Sequence, residues 1–283
     1  MTPGPASTPP GLWRSLASLA LAPAVVAGMS LLAPHVRLPE SAVDLLTFAG
    51  ACLTALGAVV LLSRSPVPDR ARLALGLLSA ATIVAVAWTR SSSALSAVAI
   101  AAALISLAHV VGDFIGSHIE HPGHILPACV VASCIDITSV FHPSGPTHAV
   151  IESPRALALL AMSFPVLGTH QHAPVIGIGD LLFVSLLLGV ARTHAIRWWK
   201  VALAAVAGVA LAGAASATVP LVAPNLPAAV PALPAIGLAT LLGVREMRTL
   251  RRKDRRVAWV FMTGAVVLAA VTLSSRFLLA SSP

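Results

Sequence analysis

Nine stretches of this chain are long, apolar and almost free of charge: roughly 13–33, 42–63, 71–89, 93–115, 124–141, 175–191, 200–221, 228–244 and 257–279. Such stretches narrow the choice of fold sharply. Inside a lipid bilayer every backbone N–H and C=O must find a partner within the protein, and a single segment achieves this only as a helix. At ~1.5 Å per residue, about 20 residues cross a ~30 Å hydrocarbon layer, so the fifth, sixth and eighth stretches are the short ones. Composition agrees. Hydrophobic residues make up 57% of the chain and charged residues 10%, where a soluble domain carries about 25% charged residues. An all-α, polytopic integral membrane protein with about nine transmembrane helices is expected. One further segment, "ALALLAMSFPVLG" at 156–168, is apolar but too short to span. It is expected to lie at the interface or to re-enter.

The formal net charge of +8 does not point to nucleic acid, because the basic residues fall between the apolar stretches and not in one binding surface. They read as topology signals. Of the 18 Lys and Arg residues, 13 follow the second, sixth and eighth stretches, all on one side of a nine-span chain. Both termini are therefore expected outside. The loop "RRKDRR" at 251–256 reads as a cytoplasmic anchor that touches anionic lipid headgroups. Cys52, Cys129 and Cys134 all sit in apolar runs, as small buried side chains and not a disulfide framework. The Pro-rich lead "MTPGPASTPP" lacks the basic start of a cleaved secretion signal, so none is expected.

Acidic residues inside apolar runs carry the functional information. An ionised Asp at a helix centre costs roughly 2.5–3.5 kcal/mol on insertion scales. Asp136 stands about five residues before the expected end of the fifth span, and Asp180 five residues after the expected start of the sixth. Consecutive spans are antiparallel, so both carboxylates are expected ~7–8 Å inside the same membrane face. Gly177, three residues before Asp180, would let another helix approach that acid. Ser133 and Ser139 make the Asp136 face small and polar. Two carboxyls in a low-dielectric site share a proton, so that one serves as base towards water and the other as acid towards a peptide carbonyl. The same acids are compatible with an ion path or with hydrogen-bonded helix contacts.

A second group, in "AHVVGDFIGSHIEHPGH" at 108–124, contains His109, Asp113, His118, Glu120, His121 and His124. His109 and Asp113 are one helical turn apart and could bind zinc, relay a proton or simply pair. The rival function is thus a divalent-metal or proton-coupled transporter lined by Asp113, Asp136 and Asp180. The spacing matches no strong zinc signature, and solvated loop histidines are the simpler reading. His170 and His172, ahead of Asp180, read as a solvated loop that could tune entry to a site.

Three segments resemble a known family. "GIGD" at 177–180 matches the GxGD signature of the presenilin and signal peptide peptidase aspartyl intramembrane proteases. Prepilin peptidases share that signature, usually with a following lysine that is absent here. "IDITSVFHPSGPTHAVIES" at 135–153 is similar to the presenilin segment in which the first catalytic Asp ends a span and leads into a Pro-Gly-Pro-like turn and a Glu. "LPAAVPALPAIG" at 226–237 contains Pro231, Ala232 and Leu233, then Pro234, similar to the PAL motif that opens the last presenilin helix. The order is the family's, and the resemblance covers roughly 124–245. It implies that Asp136 and Asp180 are the catalytic pair, that Gly177 and Gly179 shape the second acid's helix, and that Pro231, Ala232 and Leu233 border the substrate.

It further implies an endopeptidase acting on transmembrane-helix protein substrates in a prokaryotic plasma membrane, with no metal or other cofactor. Accessory subunits are not indicated either way. The chain then divides into N-terminal helices (1–122), a protease-like core (123–245), and a basic loop with an extra C-terminal helix (246–283). Prolines 224, 227, 231 and 234 prevent a regular helix start and leave backbone groups able to pair with an unwound substrate strand. The sequence departs from the family in having Ile135 where a Tyr usually precedes the first Asp, a short 142–174 connection that implies no self-cleavage, and a span after the PAL helix. The charge pattern also puts the loop between the two acids outside, as in signal peptide peptidase.

Overall fold

The computed structural model describes residues 10–65, 68–90, 93–142, 144–222 and 230–280. The Pro-rich lead, Pro224, Pro227 and the first residues of the expected eighth span lie outside the described residues. In chain order the helices are α1 (Pro10–Leu32), α2 (Glu40–Ser63), α3 (Asp69–Thr89), α4 (Ala94–Ser117), α5 (Ile125–Phe141), α6 (Pro146–Glu152) and α7 (Pro154–Leu160). Two strands follow, β1 (Ala161–Pro165) and β2 (His172–Gly177), and then α8 (Ile178–Thr193), α9 (Trp198–Val222), α10 (Leu233–Gly243) and α11 (Arg255–Ala280).

Among the described residues, seven helices are long and apolar enough to cross a membrane. The chain is an all-α, polytopic integral membrane protein. Hydroxyls within these helices are satisfied locally, as in Ser63 to Val59 O at 2.8 Å and Ser79 to Leu75 O at 2.8 Å, which removes the need for a partner in lipid. Helix α3 is almost unburied, and Leu73, Leu77, Leu78 and Trp88 are exposed along it, as on a lipid-facing helix.

The expected sixth and eighth spans differ from expectation. They are the helices α8 and α10, of 16 and 11 residues. Residues 172–177, expected to begin the sixth span, form β2, antiparallel to β1. Proline accounts for this. Pro174 and Pro165 each lack an N–H and would break a helix interior, whereas a two-stranded sheet has outer edges where that loss is tolerated. The apolar segment 156–168 is thus neither a span nor a loop: it supplies α7, β1 and the start of the hairpin turn.

The chain forms two compact units. The first comprises residues 1–111 and 161–181, the second residues 112–160 and 182–283. In the first unit the hairpin is anchored to α1 and α2. Phe164 and Met162 are buried, and Gly50 on α2 makes room for the Phe164 ring, since a Cβ there would stand 3.1 Å from it. The turn is pinned by Gly168, whose N–H donates to Ala33 O at 2.7 Å from a left-handed conformation (φ 81°).

In the second unit α10 packs on α9 and α5, and α11 packs on α5. Close approach depends on glycine. A Cβ at Gly208 of α9 would fall on the Ile236 backbone of α10, and one at Gly116 of α4 on the Leu186 carbonyl of α8. Three loops meet at one end. His194 bonds Ile119 O at 2.7 Å, His124 meets Asp254 at 3.2 Å and Lys200 meets Glu246 at 3.9 Å. These are the loops after the fourth, sixth and eighth expected spans, which the charge pattern put on one side. Cys52 and Cys129 are buried and Cys134 half-buried, all as free thiols.

Two glycines separate packing from helix propensity. Gly208→Ala forces α9 off α10 and lowers stability by about 1–3 kcal/mol. At Gly57 a Cβ meets nothing within 4 Å, so Gly57→Ala is neutral or stabilises by up to about 1 kcal/mol. Thermal unfolding of both variants in detergent distinguishes them.

Candidate active site

Asp136 lies on α5, five residues before its end at Phe141, at the position expected. Helix α10 begins at Leu233, and the first N–H groups of any helix lack intrahelical partners. Leu233 N–H donates to Asp136 Oδ2 at 3.1 Å. The positive end of the α10 dipole and one of its orphan donors thus face the carboxylate. Pro231 is buried beside this start and Ala232 half-buried. The PAL segment and the first candidate acid, 97 residues apart in sequence, are in direct contact.

The end of α5 is tied down by the chain that follows. Thr147 N–H donates to Ser139 Oγ at 2.9 Å, and the Ser139 hydroxyl donates to Thr147 Oγ1 at 2.6 Å. A Cβ at Gly145 would strike the Ser139 carbonyl, so glycine is required where this connection folds back. Ser133 faces α10, close to where a Gly237 Cβ would stand. The small polar face expected around Asp136 is present, and its serines contact neighbouring elements of the second unit.

Asp180 belongs to the first unit. It sits in the first turn of α8, about 3 Å along the axis from the helix start, and not five residues into a span. An acid there is favoured by the helix dipole. Gly177 closes β2 and is not on the helical face of Asp180 as expected, yet it still borders the acid: a Cβ on it would stand 3.5 Å from Asp180 Oδ2. A Cβ at Gly179 would meet nothing within 4 Å. Asp180 also lies within electrostatic reach of Cys52 on α2. Strand β2 therefore runs directly into the acid. At the far end of β2, Ser30 of α1 bonds His172 Nε2 at 2.9 Å, and burial pushes the His172 imidazole below its ordinary range. His172 is thus part of the fold of the first unit and not a solvated loop residue, whereas His170 is exposed.

Asp113 is fully buried, and its Oδ2 accepts from Arg192 of α8 at 2.7 Å. The sequence counted Arg192 only as a topology charge. A basic residue closing an apolar span twelve residues after Asp180 was the available signal for a buried partner. The nearby histidines take part in loop architecture. His118 Nδ1 lies 2.7 Å from Phe114 O, and His121 Nδ1 accepts from Gly123 N–H at 3.1 Å. Among the described residues, no three His, Cys, Asp or Glu side chains converge to hold a metal ion.

No protein-family model, curated protein or solved structure matches the chain.

Asp113 is buried and Arg192 exposed, so removing Arg192 strands the buried carboxylate, whereas removing Asp113 leaves a cation that water can reach. Arg192→Met is expected to cost about 3–5 kcal/mol, and the double change Asp113→Leu/Arg192→Met to recover most of that loss. Unfolding midpoints of the two single variants and the double variant in detergent give the coupling directly.

Proposed function

We propose that the chain is an intramembrane aspartyl endopeptidase, similar to the presenilin and signal peptide peptidase class, that hydrolyses peptide bonds within or near transmembrane segments of other proteins. The contact that carries this reading is the hydrogen bond from Leu233 N–H to Asp136 Oδ2. It brings the PAL segment against the first candidate acid, 97 residues away in the chain.

In this mechanism Asp136 and Asp180 share one proton. The ionised carboxylate takes a proton from water, whose oxygen attacks the scissile carbonyl carbon. The protonated carboxyl gives its proton to the carbonyl oxygen, and a gem-diol forms. Return of a proton to the amide nitrogen lets the C–N bond break, releasing an amine and a carboxylic acid. No metal takes part.

A substrate helix must unwind before its carbonyl can be attacked, and its freed backbone groups then need partners. Strand β2 supports this step. It is the less buried strand of a two-stranded sheet, so it has an outer edge for an added strand. That strand leads through Gly177 to Asp180. The reading extends to a prokaryotic plasma membrane as the location. For the rival transporter, Asp113 would need to line the path, whereas its carboxylate is held by Arg192 at 2.7 Å.

Purified protein in lipid is expected to cut single-span reporter helices, and Asp136→Ala and Asp180→Ala each to abolish cutting. Cleavage that survives either substitution would refute the dyad.

Leu233→Pro is the sharper test of the PAL contact. It deletes the donor; Ala232, at φ −89° and ψ −26°, must also shift towards extended backbone before a proline, so unfolding of the variant is measured beside its cleavage. Loss of one hydrogen bond to a charged group is expected to slow cleavage about 10–100-fold. Leu233→Ala, which keeps the N–H and loses only side-chain contact, should lose less activity than Leu233→Pro in the same assay.

A further inference from the structure

An apolar cleft of about 500 Å³ opens between the start of α5 and the start of α11. Ala128 and Val131 line it from α5, Val257 and Phe261 from α11, and His124 and Asp254 close one end. Val131 and Phe261 each lie seven residues beyond that polar end, so the cleft descends ~10 Å into the apolar layer. It is polar at its mouth and apolar below.

The charge at its mouth is one-sided. Arg251, Arg252, Lys253, Arg255 and Arg256 are all exposed around Asp254, whose carboxylate is engaged by His124 at 3.2 Å. Burial and the neighbouring Arg251, His124 and His194 push the His121 imidazole below its ordinary range, against a smaller opposing effect of Asp254. The exposed guanidinium groups and the lysine carry positive charge at this mouth.

We propose that this cleft binds one anionic phospholipid, with its phosphate on the 251–256 loop and one acyl chain along the α5–α11 cleft. A soluble anion would use the cations and leave the apolar walls unexplained. A zwitterionic lipid would use the walls and leave the cations unexplained. The basic loop lies on the side that the charge pattern assigns to the cytoplasm, whose leaflet holds the anionic lipids. The proposal needs only a membrane chain and is independent of the protease reading.

Native mass spectrometry of the full chain in detergent tests it, with phosphatidylglycerol, phosphatidylcholine and the deacylated headgroup glycerophosphoglycerol as probes. One phosphatidylglycerol should be retained per chain, with at least ~tenfold preference over phosphatidylcholine. The headgroup alone should not displace it. The triple change Arg251→Gln/Arg252→Gln/Lys253→Gln should weaken phosphatidylglycerol at least ~tenfold. Ala128→Phe, which fills the cleft, should weaken it as well. If Ala128→Phe does not fold, the triple variant decides, because its side chains are exposed. Equal retention of the two lipids, unchanged binding in the triple variant, or displacement by the headgroup alone would overturn the proposal.

Discussion

A backbone in hydrocarbon has to hydrogen-bond to itself, and departures from continuous helix mark where something else supplies the partners. Two departures stand beside candidate catalytic carboxylates. At the start of α10 an orphan N–H of Leu233 finds Asp136. Before α8 the chain is a strand, paired to β1 from Ala161↔Gly177 to Pro165↔His172, and α8 then opens at Ile178 with Asp180 in its first turn. Asp136, late in α5, faces the start of α10, and Asp180 lies in the first turn of α8; at both helix starts the dipole favours negative charge. In each unit, taken by itself, the irregular backbone and the acid occur together. The short helices follow from that backbone, because residues spent on strand and proline-rich turn are not available to span.

Close packing at glycine is the second organising element. In water a helix pair is driven together by burial, but lipid gives no such drive, and contact depends on how near two backbones can come. Gly112 and Gly116 of α4 present bare backbone to α8, and Gly208 of α9 does the same to α10. The buried Asp113, paired with Arg192, lies in the first of these contacts: Gly189 of α8 is so near that an added Cβ would stand 3.3 Å from Asp113 Oδ1. Within the second unit, small residues and the Asp113–Arg192 ion pair together hold the end of α4, residues 112–117, against residues 182–193 of α8.

Much of this was legible in the sequence. The seven long helices follow from hydropathy and length. The kinship of Asp136 with the Pro231–Leu233 segment followed from motif order, and the gathering of loops 118–124, 194–200 and 245–254 from charge. The strands were not legible. "APVIG" at 173–177 is apolar throughout, and a short apolar run has no periodicity that separates strand from helix. The discriminating signal was proline, at 165 and 174, which was read at the PAL segment but not here. The depth estimate for Asp180 failed for the same reason, since it took Val175 as a helix start. Arg192 was overlooked because a cation at a span's end has an adequate topological explanation, and only three-dimensional proximity to Asp113 reveals the pairing.

The first unit is discontinuous: α1 to α4 are joined by a hairpin that follows α5, α6 and α7 in the chain. Synthesis proceeds from the N-terminus at about 5–20 residues per second. The four helices emerge several seconds before Phe164 exists to occupy the space that Gly50 leaves for it. Until then α1 and α2 lack their central aromatic contact. The order of manufacture thus makes the hairpin and the first turn of α8, with Gly177 and Asp180, the last piece of its unit to arrive, so this candidate half-site forms only when the unit is complete.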